Sequence, residues 1–449
     1  MALDIWAKPE AGFREFFACK RQKEFLEALG AKITAPVGPV ETAFIAEYGS
    51  GYPVIGILGE FDALPGLSQK AGKTEHDPVD AGAYGHACGH NLLGTAGVLA
   101  FAALMDTMKA ENLPGTIRFY ACPAEENLSG KSYMAREGVF NDLDCCLTFH
   151  PGTQDAVSGG SCNAFQLMEF YFKGTEAHAG GAPWLGRSAL DAVELTNIGC
   201  NYLREHIIDG ARIHYIITDG GLAPNIVPGK AAVRYAVRAP KMDQMQDIVK
   251  RLIKCAEGAA HMTETEMTYS VKSIYHNVMP NYTLNEVMFE NLKNVTPSSY
   301  TEEETAFLDK LVATYPQDSI ANACKTYGID PKEVQHGIYP HGVLHGDKNL
   351  VSGGSTDVGD VSYLTPTAQL TTACAPLPVS AHTWQAASCY GTGVGVKGML
   401  RAGEVLAATG YDLLTDKKEM IPKAKEELLK DLDGKTYTPI PDDMMPYCD

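Results

Sequence analysis

Three short apolar runs alternate with amphipathic stretches in the first third of the chain. The runs are Val54–Leu58, Thr116–Cys122 and Asp144–Phe149, and each is bounded by Gly or Pro. Short apolar runs with such boundaries are typical of buried strands in an α/β sheet. Helical periodicity occupies Phe13–Leu29 and about Asn91 to Lys109. The pattern therefore predicts an α/β fold in which helices flank a central sheet.

A different order of elements begins near residue 164. Strand patterns occur at Phe165–Lys173, Ala211–Thr218, Ala231–Arg238 and Glu266–Tyr275, with helical patterns at Arg187–Ile207 and Met242–Ala260. The order β-α-β-β-α-β is typical of a ferredoxin-like α+β domain. We therefore predict that residues 164–276 form an inserted domain, and that residues 1–163 and 277–449 together form the first domain.

The C-terminal part has weaker patterns. Residues 277–350 contain one acidic helical pattern, about Glu302 to Thr314, and a loop rich in Gly, His and Pro. One long helix is predicted from about Trp384 to Leu406, and the charged tail predicts a surface helix followed by an extended end. Two interpretations of the loop histidines are kept: they line a substrate entrance, or they are exposed to solvent. These histidines are His336, His341 and His345.

Composition and charge narrow the classes of function. The chain has 37 Lys and Arg against 55 Asp and Glu, a formal net charge of −18. Such a charge repels nucleic acids and anionic membranes, and no basic run offsets it. The first ten residues lack an apolar core, so no signal peptide is expected. Lys397 and Arg401 interrupt the long apolar stretch near the C-terminus, so no membrane-spanning helix is expected there. Twelve scattered cysteines favour reduced thiols in a cytoplasm.

Each apolar run of the first third ends at carboxylates or a histidine. Glu60 and Asp62 follow the first run, Glu125 and Glu126 follow the second, and His150 follows the third. Open α/β sheets bind ligands at the carboxyl ends of their strands. The sequence therefore predicts a polar site at one edge of the sheet.

The strongest local motif is Gly-His-Ala-Cys-Gly-His-Asn at residues 85–91. A thiolate at Cys88 and an imidazole at His90 can reach one metal ion, and such ligands suit zinc or manganese. Of the adjacent Glu125 and Glu126, one can bind metal while the other acts as a general base. A buried cysteine beside a helix-start histidine, and a solvated pair of surface glutamates, are the alternatives that the motifs leave open.

Together these segments resemble the di-metal peptidase family of aminoacylase and carboxypeptidase G, over about residues 10 to 410. The motifs at 56–69, 354–362 and 382–385 are most similar to its amidohydrolase branch, and within that to p-aminobenzoyl-glutamate hydrolases. The resemblance implies a catalytic domain with a mixed central sheet flanked by helices. It also implies that the inserted domain is a lid and dimerisation domain.

The resemblance assigns roles to residues of the catalytic part. Cys88 bridges two divalent metal ions, zinc or manganese, and four further ligands complete the site: His90, Glu126, His150 and His382. Glu125 is the general base, and Asp62 orients a ligand imidazole. Glu60 stands where many relatives outside this branch have a metal-binding histidine, and is interpreted as a network carboxylate.

The resemblance also implies roles in the inserted domain. His178, within the motif at 176–181, reaches the active site of the partner subunit and polarises the scissile carbonyl. Asn225 and Arg238 bind substrate, because an amide can stabilise an oxyanion and a guanidinium can pair with a carboxylate.

The expectation from the sequence is a cytoplasmic, homodimeric, metal-dependent amidohydrolase. Its substrates would be N-acyl amino acids or aminobenzoyl-glutamate-like conjugates, with no nucleic acid or membrane as partner. Three alternatives are kept: a dipeptidase or general aminoacylase, a non-catalytic binding or accessory protein on the same fold, and a thiol amidase with Cys88 as nucleophile. A requirement for a second, different subunit is also left open.

Overall fold

A computed structural model describes residues 1–347 and 350–446. Residues 348–349 of the segment 277–350, and the last three residues of the predicted extended end, lie outside the described residues. The strands are β1 (Lys32–Thr34), β2 (Phe44–Ser50), β3 (Val54–Gly59), β4 (Gly115–Ala121), β5 (Cys145–Gly152), β6 (Ala156–Val157), β7 (Ser161–Cys162), β8 (Ala164–Lys173), β9 (Arg212–Asp219), β10 (Lys230–Ala239), β11 (Glu266–Tyr275), β12 (Val343–Leu344), β13 (Val351–Ser352) and β14 (Thr367–Ala373).

The helices lie between these strands and after them. They are α1 (Ala2–Trp6), α2 (Phe16–Leu29), α3 (His90–Glu111), α4 (Glu125–Leu128), α5 (Gly130–Arg136), α6 (Ala189–Leu203), α7 (Met242–Thr263), α8 (Tyr282–Asn294), α9 (Glu302–Val312), α10 (Ser319–Tyr327), α11 (Val358–Leu364), α12 (Trp384–Tyr390), α13 (Gly393–Leu414) and α14 (Met420–Leu432).

The central sheet has eight strands in the order β1-β2-β4-β3-β5-β14-β6-β12. The inner strands β4, β3, β5 and β14 are parallel, while β2 and β6 join them antiparallel. Parallel strands place their carboxyl ends at one edge of a sheet. This mixed α/β architecture, with helices flanking the sheet, confirms the predicted fold class of the catalytic part.

Helix α3 packs closely across the middle of this sheet. A Cβ added at Gly94 would lie 2.5 Å from the Glu60 carbonyl oxygen, so only glycine permits this approach. The close contact brings His90, the first residue of α3, to the end of β3.

By length and composition α3 is also the one helix in the described part of the chain that could cross a membrane, but 72% of its most apolar window is buried inside the protein.

A second, antiparallel sheet has the order β11-β8-β10-β9. Its four strands and the helices α6 and α7 come from one continuous stretch of chain between β7 and α8. Both helices cover one face, where they share an apolar core with alternate strand residues such as Phe170 and Tyr235. The role of this unit as a lid and dimerisation domain stays a prediction.

The structure corrects two predictions in the C-terminal part. The single helix expected over Trp384 to Leu406 is two helices, because the chain turns at Gly391, where an added Cβ would lie 2.4 Å from the Trp6 ring. In the segment 277–350, α8 and α10 were not predicted. Helix α8 could not be predicted from periodicity because its buried face carries Asn285 and Asn291, which interrupt the apolar stripe. Their side-chain amides instead donate hydrogen bonds to Ser158 and Asp412.

Candidate active site

The predicted ligands converge at the carboxyl edge of the central sheet. Asp62 follows β3, Glu125 and Glu126 open α4 after β4, and His150 lies near the end of β5. His382 lies in the loop after β14, a strand that was not predicted. Because β14 pairs in parallel with β5, it carries this loop to the same edge, more than 230 residues beyond His150 in the chain.

His90 is fixed through its Nδ1 atom, while its Nε2 atom makes no hydrogen bond. Its Nδ1 lies 2.8 Å from Asp62 Oδ1, and the other oxygen of Asp62 accepts a hydrogen bond of 2.9 Å from the Glu126 backbone. Burial acts to raise the pKa of Asp62, but the charge and hydrogen bond of His90 hold that pKa below its ordinary value. Asp62 therefore orients the imidazole so that Nε2 faces the site.

The other four predicted ligands lie around the same point. Cys88 Sγ is 3.4 Å from His150 Nε2, and His150 Nδ1 donates to the Pro151 carbonyl at 2.9 Å. His382 Nε2 is 3.4 Å from Glu126 Oε1. Two clusters result, each with ligand atoms within 4.8 Å of one another: one joins Cys88, His90 and His150, and the other joins Cys88, Glu126 and His382.

These residues fit divalent metal ions. The buried atoms His90 Nε2 and Glu126 Oε1 have no hydrogen-bond partner, and an unpaired buried polar atom costs about 1–3 kcal/mol unless something binds it. The donor set of one sulfur, three imidazoles and a carboxylate is chemically compatible with zinc or manganese. Because Cys88 belongs to both clusters, its position is compatible with the predicted bridging role.

Glu125 lies beside the ligands as a buried carboxyl group. Its Oε2 is 4.0 Å from His90 Nε2, and together with Glu60 it forms a third possible ligand cluster around that nitrogen. Burial, and then the negative charges of Glu60 and Glu126, raise the pKa of Glu125 well above its ordinary value. A carboxylate in such surroundings has a high affinity for a proton, as a general base requires.

Lys131 is a site residue that the sequence reasoning missed. Its fully buried ammonium lies 2.6 Å from Glu60 Oε1 and 2.6 Å from Asp357 Oδ1. Burial acts to lower the pKa of Lys131, but the charges of Asp357 and Glu60 hold it well above its ordinary value. Glu60 is thus anchored at one oxygen while its Oε2 lies 3.2 Å from His90 Nε2. A lone lysine in a short helix carried no local signal of this contact.

The loops beside the second sheet present their predicted site residues differently. His178 is exposed, and its Nδ1 accepts hydrogen bonds of 3.2 and 2.9 Å from the backbones of Gly180 and Gly181. Asn225 is also exposed. Its backbone carbonyl accepts a hydrogen bond of 3.0 Å from the Ala179 backbone N–H, and this bond joins the two loops. Within the residues that the structure describes, no hydrogen bond or ion pair links either side chain to the metal-binding clusters.

Arg238, on the second sheet, contacts a residue of the loop before α11. Its Nη1 donates to Ser355 Oγ at 2.7 Å, and its guanidinium lies 4.7 Å from the centre of the Phe165 ring. The loop histidines are separate from the clusters. His336 and His341 are exposed, and His345 Nε2 is 3.0 Å from the Gln154 amide. These positions give the histidines no ligand role.

The chemistry of Cys88 bears on the thiol alternative. Burial, and then the charge of Glu126, raise the pKa of this thiol well above its ordinary value. A nucleophilic cysteine needs the opposite shift in the absence of metal, since only the thiolate attacks. What favours metal binding is geometry, because Cys88 Sγ belongs to both ligand clusters.

Comparisons with known proteins identify the family of the chain. Residues 56–357 match the model of Peptidase family M20/M25/M40. The chain is 40% identical over 461 aligned residues to the B subunit of p-aminobenzoyl-glutamate hydrolase from Escherichia coli, covering 99% of this chain and 95% of that protein. It is 31% identical to Xaa-Arg dipeptidase of Mus musculus, covering 67% of this chain and 68% of that protein.

A solved structure matches the fold. The crystal structure of a dinuclear metal-binding peptidase from Bacillus subtilis superimposes with a TM-score of 0.54 at 18% identity, covering 90% of this chain and 96% of that one. The family match confirms the predicted resemblance. Together with the hydrolase names of the relatives, it also supports the prediction that the protein is an enzyme acting on amide bonds rather than a non-catalytic protein on the same fold. The chain belongs to Peptidase family M20/M25/M40.

Proposed function

We propose that this protein is a metal-dependent amidohydrolase that cleaves N-acyl amino acids or aminobenzoyl-glutamate-like conjugates. The observation that carries the proposal is the convergence of Cys88, His90 and Glu126 beside the buried carboxyl group of Glu125. The similarity to p-aminobenzoyl-glutamate hydrolase of Escherichia coli, which extends over nearly the whole chain, supports this class of substrate.

The metal-binding residues in this proposal are Cys88, His90, Glu126, His150 and His382, and they hold two divalent ions, zinc or manganese. Such ions, when bound, acidify a water molecule and polarise the scissile carbonyl. The Bacillus subtilis relative in fold is a dinuclear metal-binding peptidase, which supports a pair of ions. Asp62 fixes the His90 ring so that its Nε2 atom faces the other candidate ligands.

The protein groups then move a proton and bind the substrate. Glu125 takes a proton from the attacking water and delivers it to the leaving nitrogen. His178 of a second copy, together with Asn225, stabilises the negative charge that develops on the carbonyl oxygen. Arg238 pairs with a carboxylate of the substrate. Exposure of His178 and Asn225 is compatible with action in a second subunit.

The assembly in this proposal is a cytoplasmic homodimer. Two relatives from Escherichia coli are named as different subunits of p-aminobenzoyl-glutamate hydrolase, which supports a possible second, different subunit. A dipeptidase is the second candidate function, because a dipeptidase from Mus musculus matches two thirds of the chain.

The test is release of free amine from a substrate panel. The panel contains p-aminobenzoyl-glutamate, aliphatic N-acyl amino acids and dipeptides, each assayed after chelation and after addition of manganese or zinc. Activity lost on chelation and restored by metal is expected, and the best substrate separates amidohydrolase from dipeptidase. Full activity in protein shown by elemental analysis to be metal-free would contradict the proposal.

A further inference from the structure

A strained turn connects β4 to Glu125 and Glu126. Ala124, the residue before them, has a φ of 57° and a ψ of 44°, which is the left-handed region that residues with a side chain rarely adopt. Ala124 is fully buried in an apolar cluster that also contains Phe13 and Tyr120. Because an alanine by itself favours other conformations, a contact with the surrounding structure has to stabilise this one.

That contact comes from Glu15, the buried residue that precedes α2. Glu15 Oε1 accepts a hydrogen bond of 2.8 Å from the Ala124 backbone N–H, across 109 positions of the chain. Its Oε2 lies 2.9 Å from the hydroxyl of Thr42, which is itself buried just before β2. Both oxygens of this carboxyl group are therefore fixed, and one of them holds the turn.

A second buried carboxylate holds the same turn two residues later. Asp62 accepts a hydrogen bond of 2.9 Å from the Glu126 backbone N–H. The backbone is thus anchored at the residue before Glu125 and at the residue after it. Glu125 Oε2 and Glu126 Oε1 each lie 4.0 Å from His90 Nε2. The position of both glutamate side chains beside this nitrogen therefore depends on the two anchors, of which Glu15 is one.

We propose that Glu15 is a positioning residue for the active site. It stabilises the left-handed conformation of Ala124 and so keeps Glu125 and Glu126 beside the other candidate ligands. Among the described residues, the hydrogen bonds of its carboxyl group involve Ala124 and Thr42, and none of them reaches a predicted metal ligand. This inference rests on the proposed function, because it concerns the general base and a ligand named there.

Two substitutions of Glu15 separate its hydrogen bond from its size. Glu15→Gln keeps an oxygen that can accept from the Ala124 N–H, whereas Glu15→Met has a similar size and no such acceptor. Ala124→Gly removes the strain, because glycine adopts the left-handed conformation readily. In a chain that carries both Glu15→Met and Ala124→Gly, the turn should no longer need the hydrogen bond.

The first experiment measures hydrogen exchange of the full chain by mass spectrometry, without added metal and without turnover. In peptides that span residues 122–126, exchange should be about tenfold faster in Glu15→Met and within about twofold of the wild-type rate in Glu15→Gln, since one variant lacks the hydrogen bond and the other keeps it. Unchanged exchange in Glu15→Met would overturn the proposal.

Asp144→Leu is the matched control for this experiment. Asp144 also accepts a backbone hydrogen bond, of 2.7 Å from the Val54 N–H. It precedes β5, however, and therefore lies at the opposite edge of the central sheet. Its substitution should leave exchange in residues 122–126 unchanged.

The second experiment measures manganese affinity by competition with a chelator, and kcat and KM for the best substrate of the panel. Glu15→Met should weaken binding of the weaker manganese ion about tenfold and lower kcat about 10²-fold, with KM changed less than about threefold, because the base and one ligand are displaced. Glu15→Gln should stay within about twofold of wild type in all three. Addition of Ala124→Gly to Glu15→Met should recover about tenfold or more of the lost kcat.

The outcomes distinguish this proposal from a general loss of stability. A loss of kcat in Glu15→Met that Ala124→Gly does not relieve would overturn it. If Glu15→Met does not fold, Thr42→Val removes the other hydrogen bond of the carboxyl group and should lower kcat about threefold, an effect that Ala124→Gly should again relieve; an unchanged kcat would contradict the proposal. A wild-type protein that cleaves no substrate of the panel, with the differences in hydrogen exchange present, would count against the proposed function alone.

Discussion

The carboxyl edge of the central sheet and the outer loops of the second sheet present their predicted catalytic groups in opposite ways. At the edge, His90 is fully buried and Glu125 is 8% exposed, and the ligand atoms of each cluster lie within 4.8 Å of one another. On the second sheet, His178 and Asn225 are exposed and held only by their own loops. The candidate metal clusters are therefore formed within one chain, whereas in our proposal His178 and Asn225 act on the site of a second copy.

Burial explains why the two regions are built differently. At the edge of the central sheet, charges withdrawn from water need partners, and Lys131 supplies one between Glu60 and Asp357. An exposed histidine such as His178 remains hydrated and needs only its backbone hydrogen bonds to fix its ring. The following predictions test this contrast.

Glu125→Gln should have the largest effect. It removes the proton acceptor and should lower kcat by about 10³-fold or more, while metal content measured by elemental analysis stays at the wild-type level. The unfolding free energy should not fall, because glutamine keeps the size of the side chain and places no negative charge beside Glu60 and Glu126. Substantial remaining activity would place the base elsewhere.

Lys131→Met should have the largest effect on folding. It leaves two buried carboxylates without their cation and should lower the unfolding free energy by about 3–5 kcal/mol, measured by urea denaturation. Lys435→Met is the matched control, because Lys435 pairs with Asp243 at 2.9 Å with both side chains more than half exposed. That change should lower the unfolding free energy by less than about 1 kcal/mol. Similar losses for the two variants would remove the contrast between buried and exposed charges.

His178→Ala should affect activity but not stability. We expect kcat to fall by about 10²–10³-fold, with the unfolding free energy and metal content unchanged, because the side chain is exposed. Mixing this variant with Glu125→Gln should restore part of the activity, since one mixed site then has both groups. A mixture that stays inactive would show that His178 acts within its own chain or not at all.

Glu15→Gln should act on the pH dependence of stability and leave activity near its wild-type level. Burial, and then the charge of Asp62, raise the pKa of Glu15 to about 8 from an ordinary 4.5. The folded state therefore keeps this proton while the unfolded state loses it, so stability falls as pH rises between these values, by about 1.4 kcal/mol per pH unit. The variant should flatten this slope in urea titrations from pH 5 to 8. Glu24→Gln, at an exposed pair with Lys20, should leave the slope unchanged.

Residues at the ends of apolar runs could be predicted because their signal is local. Glu126 and His150 follow periodic segments directly, and β3, β4 and β5 lie within a few residues of the predicted runs. Helix α8 could not be predicted in this way, because its buried asparagines are satisfied by residues more than 100 positions away. Strand β14 was missed for a similar reason, because its pairing partner β5 is distant in the chain.

The sequence by itself determined the α/β class, the ligand-bearing motifs and the family. It could do so because side-chain periodicity and motif spacing are properties of short segments. Only the tertiary structure decided that Lys131 meets Asp357, 226 residues further along the chain, and that β14 carries His382 to the side of Glu126. Strand register and long-range ion pairs depend on how segments pack against each other, and no local pattern encodes that packing.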